Sequence, residues 1–437
     1  MKIHLEVPLP LRLRAILAFW LPLAATWIMI SLEGPYLSAV VARLGAPVAN
    51  LAASGLAFSL AWLAESPIIM LLSASTALAK DRPSFTALRR FVGLLNAGVT
   101  ALMVLIVLPP VFRGLAEGLM GLPREVADLA HQATLMLLPW PAAIGFRRFY
   151  QGLLVRRGLT GRVASGTILR LAAMSLTAAG LAFGTRLPGA VIGALALSAG
   201  VVAEGAAARW MARHVVRDLL AGEPGPEPSQ EELARFYFPL ALTSMLSMCV
   251  APILILFMGR GADPVPCLAA WPVVQAFVFL FRSGGVAFQE VGVALRTPEG
   301  GPSPQVRRAA LLLGGAVTLL YAVIVFTPLA GLWYQRILGL EPSLLPFVLL
   351  PSRLLLLYPA LEYALSWQRT RWILAGRTRV ITGATALEIG VLALAMGLLV
   401  LGLGLRGTLA AAIALTLGRL SANALLLRQR KAWQGAA

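Results

Sequence analysis

"FWLPLAAT", Phe19–Thr26, recurs as "FYFPLALT", Phe236–Thr243, at a shift of 217 residues. The same shift carries Pro35 onto Pro252 and Pro47 onto Pro264. A shift of 218 carries Arg89–Arg90 onto Arg307–Arg308, Val99–Thr100 onto Val317–Thr318, Gly121–Leu122 onto Gly339–Leu340 and Pro141 onto Pro359. Gly158 and Thr160 land on Gly376 and Thr378. One alignment with a single-residue adjustment relates the two halves, so the chain reads as a tandem duplication.

Composition decides what was duplicated. Of the 437 residues, 59% are hydrophobic and 13% charged; a soluble chain carries about a quarter charged residues. Apolar stretches recur from end to end, each long enough to cross about 30 Å of hydrocarbon. They lack the period-two alternation of a membrane β-barrel. Spans are expected near 15–42, 48–79, 86–109, 126–155, 162–185 and 188–212, and again near 233–259, 265–296, 306–328, 342–370, 378–402 and 406–428. Between the sets lies the polar linker "RDLLAGEPGPEPSQEEL", Arg217–Leu233. The expected fold is an all-α polytopic membrane protein of 12 transmembrane helices in two pseudo-symmetric six-helix lobes. The lobes would cover 1–216 and 233–437, with a cytoplasmic linker at 217–232. Six is even, so both lobes enter the membrane the same way and a pseudo-two-fold axis runs along its normal.

A net charge of +18 suggests nucleic acid until the charges are placed. Lys2, Arg12, Arg14, Lys80, Arg82, Arg89, Arg90, Arg156, Arg157, Arg162, Arg296, Arg307, Arg308, Arg369 and Arg371 gather at alternate loops. That is the positive-inside pattern, and no soluble domain carries a basic stripe. Both termini and the linker are therefore expected in the cytoplasm, with the chain in the cell inner (plasma) membrane.

Charges within the spans matter more, because each costs roughly 2.5–3.5 kcal/mol at a helix centre. The carboxylates are Glu33, Glu65, Glu204, Glu290, Glu362 and Glu388; the guanidinium groups are Arg147, Arg148, Arg170, Arg282, Arg353 and Arg419. Each should face a cavity or a partner. Glu33 is followed by Gly34 and Pro35, which should break span 1 and free carbonyls beside the acid. Pro252 repeats the break, but Val250 and Ala251 stand there without a carboxylate, so the acid serves the first half alone. Glu65 and Arg282 share a register at the 217 shift. They would either pair across the axis or form separate pairs within each lobe. Glu388 and Arg170 would pin helix bundles. Arg147 and Arg148 would hold an anionic substrate as bidentate donors or snorkel toward the surface.

Other chemistries find no motif. There is no GxxxxGK[ST] loop for ATP, no HExxH and no potassium-type filter; His4, His131 and His214 are scattered. No cofactor, metal or enzymatic activity is expected. Cys249 and Cys267 are too few for a disulfide framework.

Two same-way lobes suit both the major facilitators and the multidrug/oligosaccharidyl-lipid/polysaccharide exporters. "AKDRPSFTALRR", Ala79–Arg90, lacks the glycine of the facilitator loop. "AASGLAFSL" at Ala52–Leu60, "KDR" at Lys80–Arg82, "FYFPLAL" at Phe236–Leu242 and "AWPV" at Ala270–Val273, with Glu33 in span 1, resemble the progressive ankylosis (ANK) family in order along nearly the whole chain. The resemblance implies the MATE-like fold and export of small anionic metabolites of the pyrophosphate, nucleotide or citrate-like class.

The reading that follows is a secondary active exporter of a small anionic solute working by alternating access. Arg147, Arg148, Arg282 and Arg353 would bind substrate. Glu33, Pro35, Glu65, Glu290 and Glu362 would couple an ion (H⁺ or Na⁺) or gate. The partners are the small solute, that ion and membrane lipid, around a monomer. Cation-coupled multidrug antiport and lipid-linked precursor flipping are the alternatives.

Overall fold

The computed structural model describes residues 13–295, 297, 303–375 and 377–434. Lys2, Arg12 and Arg296 of the orientation pattern, and the repeat partner Gly376, lie outside them. The first half runs α1 (Leu13–Ser31), α2 (Glu33–Ala42), α3 (Pro47–Glu65), α4 (Leu71–Leu78), α5 (Arg82–Val107), α6 (Pro109–Arg113), α7 (Arg124–Met136), α8 (Trp140–Arg156), α9 (Thr160–Gly184), α10 (Gly189–Met211) and α11 (Arg213–Leu220). The second runs α12 (Gln230–Met248), α13 (Val250–Gly259), α14 (Pro264–Ala294), α15 (Pro304–Val325), α16 (Leu329–Gly331), α17 (Leu345–Leu354), α18 (Tyr358–Leu374), α19 (Thr378–Met396) and α20 (Gly407–Gln434).

Among the described residues, 9 helical segments are long and apolar enough to cross a membrane, and α17 with α18 makes a tenth candidate, bent by 43°. The stretches expected near 126–155 and 233–259 are each divided, at Leu137–Pro139 and at Cys249. Phe183, Leu176, Leu319 and Leu94 stand largely exposed on apolar helices, as side chains facing acyl chains would.

The duplication is written into the backbone. α1 and α12 match end for end at a shift of 217, as do α2 and α13. Ala46 and Asp263, 217 apart, both adopt φ 50°, ψ 56° immediately before a helix-opening proline. A π-helical turn occupies Gly114–Leu119 and again Leu332–Ile337, 218 later. Gly121 and Gly339 follow at φ 69° and 71°. Non-glycine residues seldom take positive φ, so its recurrence at one register marks common descent.

The break in span 1 falls at Leu32, one residue before Glu33. Pro35 and Pro252 then sit third in α2 and α13, where a helix has no use for the missing N–H. Gly34 serves a close approach: a Cβ there would lie 3.0 Å from Ala276 Cβ.

The chain forms two compact units that do not follow the duplication boundary. The first comprises Leu37–Arg260 and Pro264–Ala269; the second comprises Met1–Tyr36, Gly261–Asp263 and Ala270–Ala437. In the first unit, α12 packs on α5 and on the 3₁₀ turn Ser66–Ile68 that follows α3. The Tyr237 hydroxyl donates to the Pro67 carbonyl at 2.6 Å, and its ring meets Phe91 edge-on at 5.5 Å. In the second unit, α1 packs on α15. Trp20 Nε1–H donates to the Gly284 carbonyl at 2.9 Å, and Ile16 is buried among Phe288, Val291, Val306 and Tyr363. Burying an aliphatic side chain gains little when lipid is the alternative; close packing between small residues holds such helices. α10 supplies them: a Cβ on Gly200 would lie 3.0 Å from the Arg170 carbonyl.

At the start of α5, Asp81 and Ser84 form a reciprocal capping box, and the bonds from Ser84 hold the exposed Asp81 carboxyl below its usual range. A depressed folded pKa gives stability that is full above the unfolded pKa and disappears as pH falls through the folded one. Asp81→Ala should cost about 1 kcal/mol at neutral pH. In detergent melting curves its deficit relative to wild type should shrink on acidification below the carboxylate range; a pH-independent deficit would contradict the cap.

Candidate functional site

The costly intramembrane charges gather into two networks, one inside each unit. In the first, Glu204 on α10 is fully buried. Its carboxylate accepts from Arg147 on α8, lies 3.6 Å from Arg170 Nη1 on α9, and accepts from Gln151 Nε2 at 3.0 Å and Thr167 Oγ1 at 3.4 Å. Arg147 and Gln151 sit one turn apart on the buried face of α8. Glu65 ends α3 and accepts the indole N–H of Trp140, the first residue of α8.

In the second unit the central charge has the opposite sign. Arg419 on α20 donates to Glu362 on α18 at 2.9 Å and to the Tyr358 hydroxyl at 3.0 Å. Its Nε lies 2.9 Å from Glu388 on α19. Arg282 on α14 also donates to Glu362, at 2.9 Å, and its guanidinium lies 5.0 Å from the Phe279 ring centre. Arg369 reaches Thr385 Oγ1 at 3.4 Å and feels the charges of Glu362 and Glu388. Gln368 bonds Asn423 at 2.6 Å.

The repeat register relates the two networks. Glu65 and Arg282 are 217 apart; Trp140 and Tyr358, Thr167 and Thr385, and Arg170 and Glu388 are each 218 apart. Arg147 and Glu362 are 215 apart, and so are Glu204 and Arg419. The central pair has therefore slid by three residues, about one turn, as a unit. Every charge at these corresponding places is reversed. With Arg148 counted in the first unit, in the field of Glu65 and Glu204, each unit gathers three guanidinium groups and two carboxylates. In hydrocarbon such groups persist only when paired or facing a water-filled space.

The expected site residues fare differently. Arg147, Arg282, Glu65 and Glu362 join the networks, with Glu65 and Arg282 each bonded within its own unit. Arg148 is half-buried, and its Nε–H has no acceptor. It lies in the field of Glu65 and Glu204 without a hydrogen bond or ion pair among the described residues. Arg353 does not join: it is exposed, and its Nε donates to the Val325 carbonyl at 3.1 Å. The reason is local, since carbonyls at the end of α15 lack intrahelical donors and attract a cation. Glu290 is exposed on α14, outside the network, because it lies two turns beyond the face that carries Arg282. Glu33 is buried in the first turn of α2, where the helix dipole favours an anion.

Sequence reasoning gave no role to Trp140, Gln151, Thr167, Tyr358 or Tyr237, and took Arg369 for an orientation signal. The aligned Trp140 and Tyr358, each before a proline, were the available hint. Among the described residues no group of three or more His, Cys, Asp or Glu could hold a metal.

No family model matches the chain, and no curated protein matches it. Solved structures do. One is the inward-facing conformation of a multidrug resistance MATE family transporter of the MOP superfamily, 15% identical over 94% of this chain and 96% of that one, at a TM-score of 0.68. A second is a MOP superfamily transporter from Pyrococcus furiosus whose binding pocket has reverse polarity, suggesting a different function. It is 20% identical over 96% and 95% of the two chains, at a TM-score of 0.63. A third is the lipid II flippase MurJ in an inward closed conformation, 11% identical over 94% and 87%, at a TM-score of 0.66. The chain has the fold these structures share and is a multi-pass membrane protein.

Proposed function

We propose that this chain is a secondary active transporter that exports a small anionic solute, of the pyrophosphate, nucleotide or organic-acid class, by alternating access. The observation that carries the reading is Arg148: a half-buried guanidinium with no acceptor, in a network where the carboxylate Glu204 is already shared by two arginines. Glu204 and Glu362 are each engaged by two guanidinium groups, so neither offers a cation an uncommitted carboxylate. The ANK resemblance of the sequence supports the same substrate class. Twelve spans in two pseudo-symmetric lobes, cytoplasmic termini, a plasma-membrane location and a monomer complete the proposal. Arg147, Arg282 and Glu362 shape the positive field, and Glu33, beside the break before Pro35, gates. Arg353 and Glu290 drop out.

The fold is shared with a lipid II flippase and with multidrug transporters, so the test must compare cargoes. Purified protein in vesicles should release labelled pyrophosphate, nucleotide or citrate faster than empty vesicles do. Arg148→Met should cut that rate at least tenfold while the protein stays folded. Movement of cationic dyes or of a lipid-linked reporter, with none of the anions, would refute the anionic reading.

A further inference from the structure

An apolar groove of about 500 Å³ opens along the first unit. Phe91, Leu94, Gly98 and Leu102 of α5 run its length, and Pro67 and Ala234, the latter on α12, complete the lining. Leu94 and Leu102 are exposed on its edge. At Gly98 the groove is open: nothing lies within 4 Å of a Cβ placed there. From Phe91 to Leu102 the helix rises about 16 Å, close to one leaflet's share, roughly 15 Å, of the hydrocarbon core. One acyl chain lying along α5 therefore fits it.

The polar end of the groove is marked by Gln230, the first residue of α12. Its Nε2 donates to the Ala87 carbonyl at 3.1 Å. Arg90 stands one turn before Leu94 on the same face of α5. Its guanidinium donates to Glu227 of the linker at 2.9 Å, and both side chains are accessible. An ion pair this exposed is weak and opens for better partners. The linker does not rely on it for its place. Gln230 holds one side, and on the other Gly225 comes so near α5 that an added Cβ would lie 3.3 Å from Pro83 Cγ. Glu227 thus stays beside Arg90 when the pair opens.

Placing an acyl chain in the groove gains little over leaving it in bulk lipid, so the headgroup selects the occupant. The mouth presents one guanidinium next to the groove and one carboxylate beyond it. A phosphate suits the guanidinium fork, and a primary ammonium donates to the carboxylate. Along such a lipid the order is chain, phosphate, amine; along the protein it is Leu94, Arg90, Glu227. Phosphatidylethanolamine carries both charges and the N–H donors. Phosphatidylcholine lacks the donors, and phosphatidylglycerol lacks the cation.

We propose that the groove between α5 and α12 seats one phosphatidylethanolamine, its chain along Phe91–Leu102, its phosphate on Arg90 and its ammonium on Glu227. The site stands apart from the anion-transport reading and does not depend on it. The seated lipid bridges α5, the linker and the start of α12. It therefore fastens a helix of the second half to the first unit, beside the contact of Tyr237 with Phe91.

The test titrates the purified full chain in detergent with phosphatidylethanolamine, phosphatidylcholine and phosphatidylglycerol of one acyl composition, counting bound lipid by native mass spectrometry. One saturable phosphatidylethanolamine is expected, held about fivefold tighter than phosphatidylcholine. Gly98→Leu fills the groove and should lose that lipid while melting no lower than wild type, since leucine is the better helix former. Arg90→Gln should weaken both zwitterionic lipids, and Glu227→Gln should bind the two alike. Arg90→Glu combined with Glu227→Arg restores an ion pair but reverses its order against the headgroup, so the preference should stay lost. A pair that merely clasps the linker would be indifferent to that order. The proposal is overturned by the absence of a saturable site, by an undiminished lipid count in Gly98→Leu, or by a preference regained in the exchanged pair. Phosphatidylcholine or phosphatidylglycerol bound at least as tightly as phosphatidylethanolamine would overturn it equally.

Discussion

Glu204→Gln should deprive the membrane fraction of most of its folded protein, or leave a species that melts far below wild type in detergent. Glu204 is fully buried and engaged by Arg147 and Arg170. Neutralising it leaves two guanidinium groups facing an amide, and breaking a buried pair from one side costs about 3–5 kcal/mol. That is a large fraction of a domain's roughly 5–15 kcal/mol of stability. Arg419→Met should do comparable harm in the second unit, because Glu362 and Glu388 would lose their shared partner. The reversed polarity of the two networks adds a sharper test. Glu204→Arg alone should be worse than Glu204→Gln. Adding Arg147→Glu and Arg170→Glu to the same chain recreates the polarity of Arg419 between Glu362 and Glu388, and should recover most of the folded protein. Size-exclusion yield and melting temperature read both outcomes. A triple variant no better than Glu204→Arg would show that the networks are not interchangeable in sign.

Gly259→Val should abolish the folded state, and Gly259→Ala should weaken it severely. A Cβ at Gly259 would lie 1.9 Å from the Met120 carbonyl oxygen and 3.0 Å from its carbon. Both are backbone atoms, so no side-chain rotation relieves the clash. Gly121 restricts the alternatives, because its φ of 69° and the 3.1 Å from its own added Cβ to the Gly259 oxygen leave the loop no room. Overpacking costs about 1–3 kcal/mol where side chains can adjust, and a backbone contact this short belongs at or above the upper end. The position one repeat earlier is Ala42, so the constraint belongs to this contact and not to the repeat. Gly98→Ala is the control: nothing lies within 4 Å of a Cβ there, and alanine in place of glycine inside α5 should stabilise by up to about 1 kcal/mol. Equal melting temperatures for Gly259→Ala and wild type would refute the steric argument.

The sequence carried the architecture further than the site. Repeated prolines and aromatics located the duplication, because residues that restrict backbone conformation keep their places. The break at Cys249 was legible from Pro252, which stands three residues after it as Pro35 does after Leu32. The cost of Glu204, Glu362 and Arg419 in hydrocarbon was evident from composition, but their partners were not. Arg147, Arg170 and Glu204 come from three helices, and spacing along one helix says nothing about how it is rotated against another. The one-turn slide of the central pair also hid that pair's reversal of charge from a fixed-register alignment, although Glu65 and Arg282 show theirs in register. Arg353 and Glu290 show the converse. A charge well inside an apolar run can still end at a helix terminus or on an exposed face, and the hydropathy profile does not distinguish these.

The assignment of α1 to the second unit and α12 to the first sets the order of assembly on the ribosome. The first unit must wait for Tyr237 to emerge before Pro67 finds its donor. Trp20, made almost at once, waits until Gly284 exists. At about 5–20 residues per second that interval is on the order of ten to fifty seconds, during which the leading helix is held by lipid or the insertion machinery alone. A chain cut within the linker therefore yields an N-terminal fragment that lacks α12 and α13 of its unit and a C-terminal one that lacks α1, and they should be recovered folded when co-expressed and not singly.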